Sequence, residues 1–242
     1  MNCICCGSTV VLWEELFLLH CNFCGHGVMS KNTGNPFLED ESLTKRFYDL
    51  EETPQSKGLS AFRLALIQSF WSEKGLIVDL GCSVGSFMKV AIKHGYKAIG
   101  YDSSPFAFLI SSKAGLQVDQ VDIQNLNGYM PQAGCFTLFD VLEHIDDPFS
   151  LMSSIKRSLD VSGIIVISVP DSTGVTRDKF STWRHYKPDE HKHYFTVESI
   201  SRLLKKSGFS LLLSTNLESE IRVNPNRNTN NILTVVANGN RY

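Results

Sequence analysis

Val78-Asp79-Leu80-Gly81-Cys82-Ser83-Val84-Gly85-Ser86-Phe87 decides how this chain is read. An apolar run ends at an acidic residue, passes two glycines four positions apart, and opens into residues 87–94, which have helical spacing. This is the joint between a buried strand and the helix that follows it. Glycines there let the backbone come close to a ligand lying over the strand end, at the switch point of an open sheet. The spacing Gly-x-x-x-Gly is not the dinucleotide fingerprint G-x-G-x-x-G, so a nicotinamide cofactor is not indicated.

Outward from this joint, strands and helices alternate from residue 75 to about 208. Strands are expected at 76–78, 97–101, 118–121, 135–139 and 163–169, with helices at 87–94, 105–114, 148–159 and 197–207. Such alternation specifies an α/β fold with a parallel sheet covered on both faces. Two further strands, 210–214 and 233–237, flank an Asn- and Arg-rich connector at 224–231 and read as a final antiparallel hairpin. Upstream, residues 43–71 show helical spacing broken near Thr53-Pro54.

Each strand end carries a chemical marker. Asp102 closes the second strand, where a carboxylate can accept hydrogen bonds from both hydroxyls of a ribose. Asp122 follows the third, placed to accept from an adenine amino group, with the Ile123 amide beside it. The fourth runs into Asp140-Val141-Leu142-Glu143-His144. A helix N-cap or a solvated turn would explain any one of these acids. With the glycine joint of the first strand they make four markers at the carboxyl ends of four successive strands, which point to a site.

With these residues the chain resembles the class I S-adenosylmethionine-dependent methyltransferases, over about residues 45–240. The resemblance implies a Rossmann-like, seven-stranded, mostly parallel sheet with a reversed final hairpin. It also implies S-adenosyl-L-methionine as cofactor, held by Asp79, Gly81, Gly85, Asp102, Asp122, Ile123 and Asp140. Gly81 and Gly85 would border the methionine moiety, Asp102 the ribose, and Asp122 with Ile123 the adenine. The middle glycine of the usual loop is Ser83 here, a departure that bears on loop geometry.

Leu142-Glu143-His144 and Glu190-His191-Lys192-His193-Tyr194-Phe195-Thr196 are similar to small-molecule and sugar methyltransferases of the ubiquinone-biosynthesis-like branch. In that branch the segment after the fifth strand helps to form the acceptor pocket. The segment here, 171–196, is long and holds Trp183, His185, Tyr186, His191, His193 and Tyr194. Long aromatic loops in compact domains are usually lids or binding loops. A hydroxyl acceptor gains from a base near neutral pKa, which histidine supplies. The candidates are His144 first, since a strand end is better fixed than a loop, then His193 and His191.

Five of the seven cysteines lie in the first 24 residues, as Cys3-Ile4-Cys5-Cys6-Gly7 and Cys21-Asn22-Phe23-Cys24-Gly25. Two C-x2-C-G knuckles at this separation suit a tetrahedral structural zinc on Cys3, Cys6, Cys21 and Cys24. Cys5 is left as a spare thiol, and His20 and His26, which could substitute as ligands, read as bystanders. Cys82 and Cys135 read as buried, inert thiols. The expected organisation is a zinc ribbon at 1–30, a polar linker at 31–44 and the methyltransferase domain at 45–242. An amino-terminal ribbon also resembles deoxysugar methyltransferases and, as the alternative, zinc-finger ribosomal-RNA guanine methyltransferases. A non-catalytic ribbon protein with a degenerate methyltransferase fold is disfavoured by the intact Gly81, Gly85, Asp102 and Asp122.

Composition narrows the partners. The 242 residues are 43% hydrophobic and 20% charged with a net charge of −2, close to the globular average. Without a basic excess, and with no Lys or Arg in residues 1–30, nucleic acid is an unlikely partner. The apolar runs are far too short for a membrane span. No signal-peptide pattern opens the chain, so a cytoplasmic enzyme acting on a small molecule or sugar is the expectation.

Overall fold

The computed structural model describes residues 1–31, 53–126, 130–222 and 231–239. The linker at 31–44 beyond its first residue, the domain start at 45, and residues 224–230 of the connector lie outside the described residues. The amino-terminal knuckles carry three short antiparallel strands, β1 (Val11–Trp13), β2 (Leu18–His20) and β3 (Gly27–Met29). Their small core is Trp13, Leu16 and Leu18, too little apolar surface to hold about 30 residues alone.

The chain then alternates as expected: α1 (Pro54–Phe70), β4 (Leu76–Leu80), α2 (Ser86–Lys93), β5 (Lys97–Asp102), α3 (Pro105–Lys113), β6 (Val118–Gln120), β7 (Ala133–Phe139), α4 (Pro148–Ser158) and β8 (Leu159–Pro170). After it come α5 (Arg177–Phe180), β9 (His193–Tyr194), α6 (Val197–Lys206), β10 (Ser210–Thr215), α7 (Leu217–Ile221) and β11 (Ile232–Asn238). Three helix starts follow one local rule. Thr53-Pro54, Ser104-Pro105 and Asp147-Pro148 each put an oxygen-bearing cap before a proline at the first helical position. The cap accepts an otherwise unpaired N–H, and proline has none to leave unpaired.

Seven strands form the main sheet in the order β10-β11-β8-β7-β4-β5-β6. The five from β6 to β8 are parallel; β11 lies antiparallel between β8 and β10. The last pair is therefore the reversed hairpin read from sequence. Ile164 to Val169 on β8 are buried on both faces, which explains an apolar run interrupted only by the buried Ser168. β8 begins four residues before its expected start because Asp160-Val161-Ser162 is an exposed extension without an apolar signal. On one face Leu64, Ile67 and Trp71 pack with Phe87 and Tyr96. On the other, Leu142, Leu151, Met152 and Ile155 join Ile200, Leu203 and Leu204.

β9 changes the domain picture. It pairs antiparallel with β3, so the ribbon sheet takes its fourth strand from the long aromatic segment. Among the described residues no helix is long and apolar enough to cross a membrane.

Candidate active site

The loop between β4 and α2 is a left-handed turn, with φ of +72° at Gly81, +51° at Ser83 and +74° at Gly85. A Cβ on Gly81 would run into Val141, and one on Gly85 into Leu116, so both glycines are fixed by space as well as by φ. Ser83 carries the middle left-handed position at a cost of about 1–2 kcal/mol. Its N–H donates to Asp102 Oδ2 at 2.8 Å, while Ser104 N–H donates to Asp102 Oδ1 at 2.9 Å. Asp102 thus ties the turn to the end of β5. A carboxylate has about four lone-pair sites, so each oxygen keeps one for a further donor. Burial pushes the Asp102 carboxyl up, and the two backbone donors oppose that.

The other acids take different places. Asp79 is buried within β4 and accepts from Thr137 Oγ1 at 2.6 Å, bracing the sheet beneath the loop. Asp122 is exposed and caps the turn Ile123–Asn125 through Gln124 N–H at 3.0 Å. Beside that turn is a cavity of about 230 Å³ lined by Ile123, Leu126, Met130, Ile145 and Leu151 and equally by the polar Gln124, Asp146, Asp147, Ser150 and Ser154. Asp140, at φ +59°, is gripped by Arg222 through Nη1 at 3.1 Å and Nη2 at 2.6 Å, with Arg63 Nη2 at 3.4 Å. Burial would raise its carboxyl, but Arg222 and Arg63 outweigh that and hold it at about 2.

The same two guanidinium groups hold Glu218, whose side chain is fully buried. Arg63 also lies over the Phe139 ring, 4.0 Å from its centroid. Neither ion pair nor ring contact to Arg63 was legible in sequence. Arg222 stays on both acids, so Arg63→Met strands neither but leaves two carboxylates sharing one guanidinium, and should cost about 2–3 kcal/mol. Thermal unfolding should register it as a fall of roughly 10 °C.

The candidate bases separate into two groups. His144 closes the turn Leu142–His144, directly after β7, and its Nδ1 lies 2.8 Å from Glu190 O. A carbonyl oxygen only accepts, so Nδ1 carries the proton and Nε2 keeps its lone pair. His191 repeats the arrangement with His185 O at 2.9 Å, and the two rings meet edge-to-face at 4.9 Å. Glu143 stands with them, its carboxyl fully buried. His193 is engaged elsewhere: Nδ1 faces His26 Nε2 at 3.1 Å and Nε2 faces Asp146 O at 3.4 Å.

Burial pushes His144 below the ordinary histidine value, His185 to about 4, and His191 and His193 to about 3. Histidines that fold neutral bind protons only when unfolded between those values and the ordinary 6.5. Stability contributed this way is complete above pH 6.5 and drains as pH falls toward 3. Each such imidazole should steepen acid destabilisation by about 1.4 kcal/mol per pH unit. Urea unfolding midpoints between pH 7 and 5 should fall accordingly.

The ribbon sulfurs converge. Cys3 and Cys24 lie 3.6 Å apart, Cys6 and Cys21 3.5 Å, and all four within 4.8 Å of one another. A tetrahedral zinc at 2.3 Å sets its sulfurs about 3.8 Å apart, whereas a disulfide needs about 2.05 Å. The knuckle turns close by Gly7 N–H to Cys3 O and Gly25 N–H to Cys21 O, both 2.8 Å. This donor set fits a closed zinc site. Cys5 is buried beside it rather than exposed. His26 is no bystander: its Nδ1 lies 3.7 Å from Cys3 Sγ while its Nε2 meets His193. Thr196 Oγ1 donates to Cys24 O at 2.6 Å, and Met29 N–H to Lys192 O at 2.9 Å. The ribbon is stitched to the segment that carries His191. A two-residue strand gives no periodicity, so sequence could not reveal this seam.

A left-handed glycine loop, an acid at the end of the next strand and a reversed last hairpin define the methyltransferase class of α/β fold. The chain belongs to the methyltransferase domain family, which it matches over residues 56–214. It is 26% identical over 149 residues to a ubiquinone biosynthesis O-methyltransferase of Dinoroseobacter shibae, covering 56% of this chain and 60% of the relative. It is 25% identical over 160 residues to a tRNA U34 carboxymethyltransferase of Campylobacter fetus, covering 57% and 55%. The chain thus spans less than two thirds of these relatives. Among solved structures, a plantazolicin methyltransferase with bound S-adenosylhomocysteine superposes at TM-score 0.64 with 16% identity, covering 85% of this chain and 93% of that one. A Clostridium acetobutylicum S-adenosylmethionine-dependent methyltransferase gives 0.61 with 14% identity, over 81% and 99%.

Proposed function

We propose that this chain transfers a methyl group from S-adenosyl-L-methionine to a hydroxyl of a small molecule or sugar, in the cytoplasm, with a structural zinc in its ribbon. The observation that carries the acceptor side is the His144–His191 pair, each with Nδ1 fixed on a carbonyl and Nε2 without a hydrogen bond among the described residues. When bound, the cofactor supplies an electrophilic methyl on a sulfonium. Asp102 would take the ribose hydroxyls on its remaining lone pairs, and the hollow beside Ile123, apolar on one part and polar on the other, would take the adenine ring. Asp79 and Asp140 act one step back: the first braces the loop from inside the sheet, the second fixes the turn that leads to His144. His144 Nε2 would accept the proton of the acceptor hydroxyl, whose oxygen would take the methyl carbon that the cofactor supplies, the carbon–sulfur pair staying on sulfur. The enzyme otherwise aligns the two reactants and excludes water.

An RNA acceptor is the second reading, favoured by the similarity to tRNA carboxymethyltransferases. Against it stand the net charge of −2 and a ribbon without Lys or Arg through residue 30. The full chain with methyl-tritiated cofactor, offered catechols, nucleotide sugars, and total tRNA and rRNA, separates the two. Label in a hydroxylated small molecule is expected; label in RNA alone would replace this proposal with the second.

A further inference from the structure

We propose that Glu143, His144 and His191 form a second metal site, a two-histidine, one-carboxylate set that binds a divalent first-row transition cation at the acceptor side. The proposal deepens the hydroxyl-transfer reading and rests on it for the cation's role, though not for its binding. One ligand atom from each residue lies within 4.8 Å of the others, close enough for a cation at about 2.1 Å to reach all three after small side-chain rotations.

The chemistry of the three groups suits a positive partner. Glu143 is 1% exposed, and its Oε2 has no hydrogen-bond partner among the described residues. A buried polar atom left in that state costs about 1–3 kcal/mol, which a bound cation would remove. Both imidazoles near it direct their only N–H to a backbone carbonyl, Glu190 O and His185 O. What remains is a Glu143 carboxyl oxygen and two imidazole lone pairs, none with a hydrogen-bond partner among the described residues. Metal-bound histidines have this arrangement, the far N–H anchored on a carbonyl to fix the tautomer and the ring.

The elements supplying the set are held in place. Glu143 and His144 sit on the turn after β7, and Lys192 N–H donates to Glu143 O at 2.8 Å, fastening the segment of His191 to that turn. Two imidazoles favour Zn²⁺, Fe²⁺ or Ni²⁺ over Mg²⁺, Ca²⁺ or Mn²⁺. Three protein ligands leave positions open for an acceptor oxygen. A hydroxyl bound there loses its proton to solvent more easily. Its oxygen lone pair then forms the bond to the methyl carbon, while the carbon–sulfur pair leaves with sulfur. In this form His144 holds the cation that acidifies the hydroxyl.

Cobalt titration of the full chain, stripped of metal and reloaded, tests this by spectroscopy. Two equivalents are expected: one with the thiolate charge-transfer bands of the ribbon, the other with weak d–d bands alone. Glu143→Gln and His191→Gln should each weaken the second by at least about 10–100-fold and leave the thiolate bands intact. Should either variant fail to fold, pulsed electron resonance of the wild-type chain loaded with Cu²⁺ at that site should show two imidazole nitrogens. A single equivalent at millimolar metal, or a second without imidazole coupling, overturns the site. If chelating the second equivalent leaves turnover intact while His144→Ala still lowers it, the cation's role falls and the base reading stands. If the cation binds as described but no hydroxyl acceptor is methylated, the site stands and the hydroxyl reading falls.

Discussion

Replacing Cys24 with serine should unravel the ribbon and disorder the segment that carries His191, lowering turnover at least a hundredfold. The ribbon's own core is small, and structural zinc in such modules supplies about 10–16 kcal/mol of apparent folding free energy at neutral pH. Without it β3 can no longer pair with β9, and the Thr196 hydroxyl loses its anchor on Cys24 O. Misplacement of about 1 Å far from the reacting atoms can cost a hundredfold in rate. The loop around Gly81 and Asp102 belongs to other strands of the main sheet, so cofactor affinity should survive. Hydrogen exchange at residues 193–196, followed alongside cofactor titration, separates the two effects. Fast exchange there with unchanged cofactor binding is the expected pair of results.

His144→Ala should lower turnover by about 10²–10⁴-fold with cofactor affinity intact. The loss has that size whether the lone pair takes the hydroxyl proton itself or holds a cation that acidifies it. Burial keeps the His144 imidazole neutral below the ordinary histidine value. The lone pair is therefore available at pH 7 and is lost only as pH falls below 6.5. Steady-state rates should be level above neutrality and decline on the acid side. A variant within about threefold of wild type would move the role to His191, the one other candidate on the same side of the turn.

Much of this structure is written locally. The strand-to-helix joint at Gly81, the three capped prolines and the apolar run of β8 each follow from a few neighbouring residues. The sheet strands were therefore legible to within a few positions, apart from the early start of β8. The knuckles were legible for the same reason, because two C-x2-C-G turns fix four sulfurs without help from the rest of the chain. What sequence could not give is pairing at a distance. His26 meets His193 across 167 positions, and Arg222 meets Asp140 across 82. No periodicity or spacing encodes such partners. A histidine in a ribbon and another in a loop look alike whether they ligate, catalyse or join two parts of the molecule. His193 ranked above His191 on sequence for want of that information, and the fold brings His191 to His144 instead.

Binding of S-adenosyl-L-methionine through Asp102 is the most direct point of contact with experiment. Asp102 both fastens the glycine loop and offers its remaining lone pairs to ribose, bonds that are charge-assisted and worth about 1.5–3 kcal/mol. Calorimetric titration of the full chain should show one cofactor per chain, weakened about 10- to 150-fold in Asp102→Ala. Equal affinity in the two proteins, or no binding by the wild-type chain, would contradict the placement of the cofactor and the activity built on it.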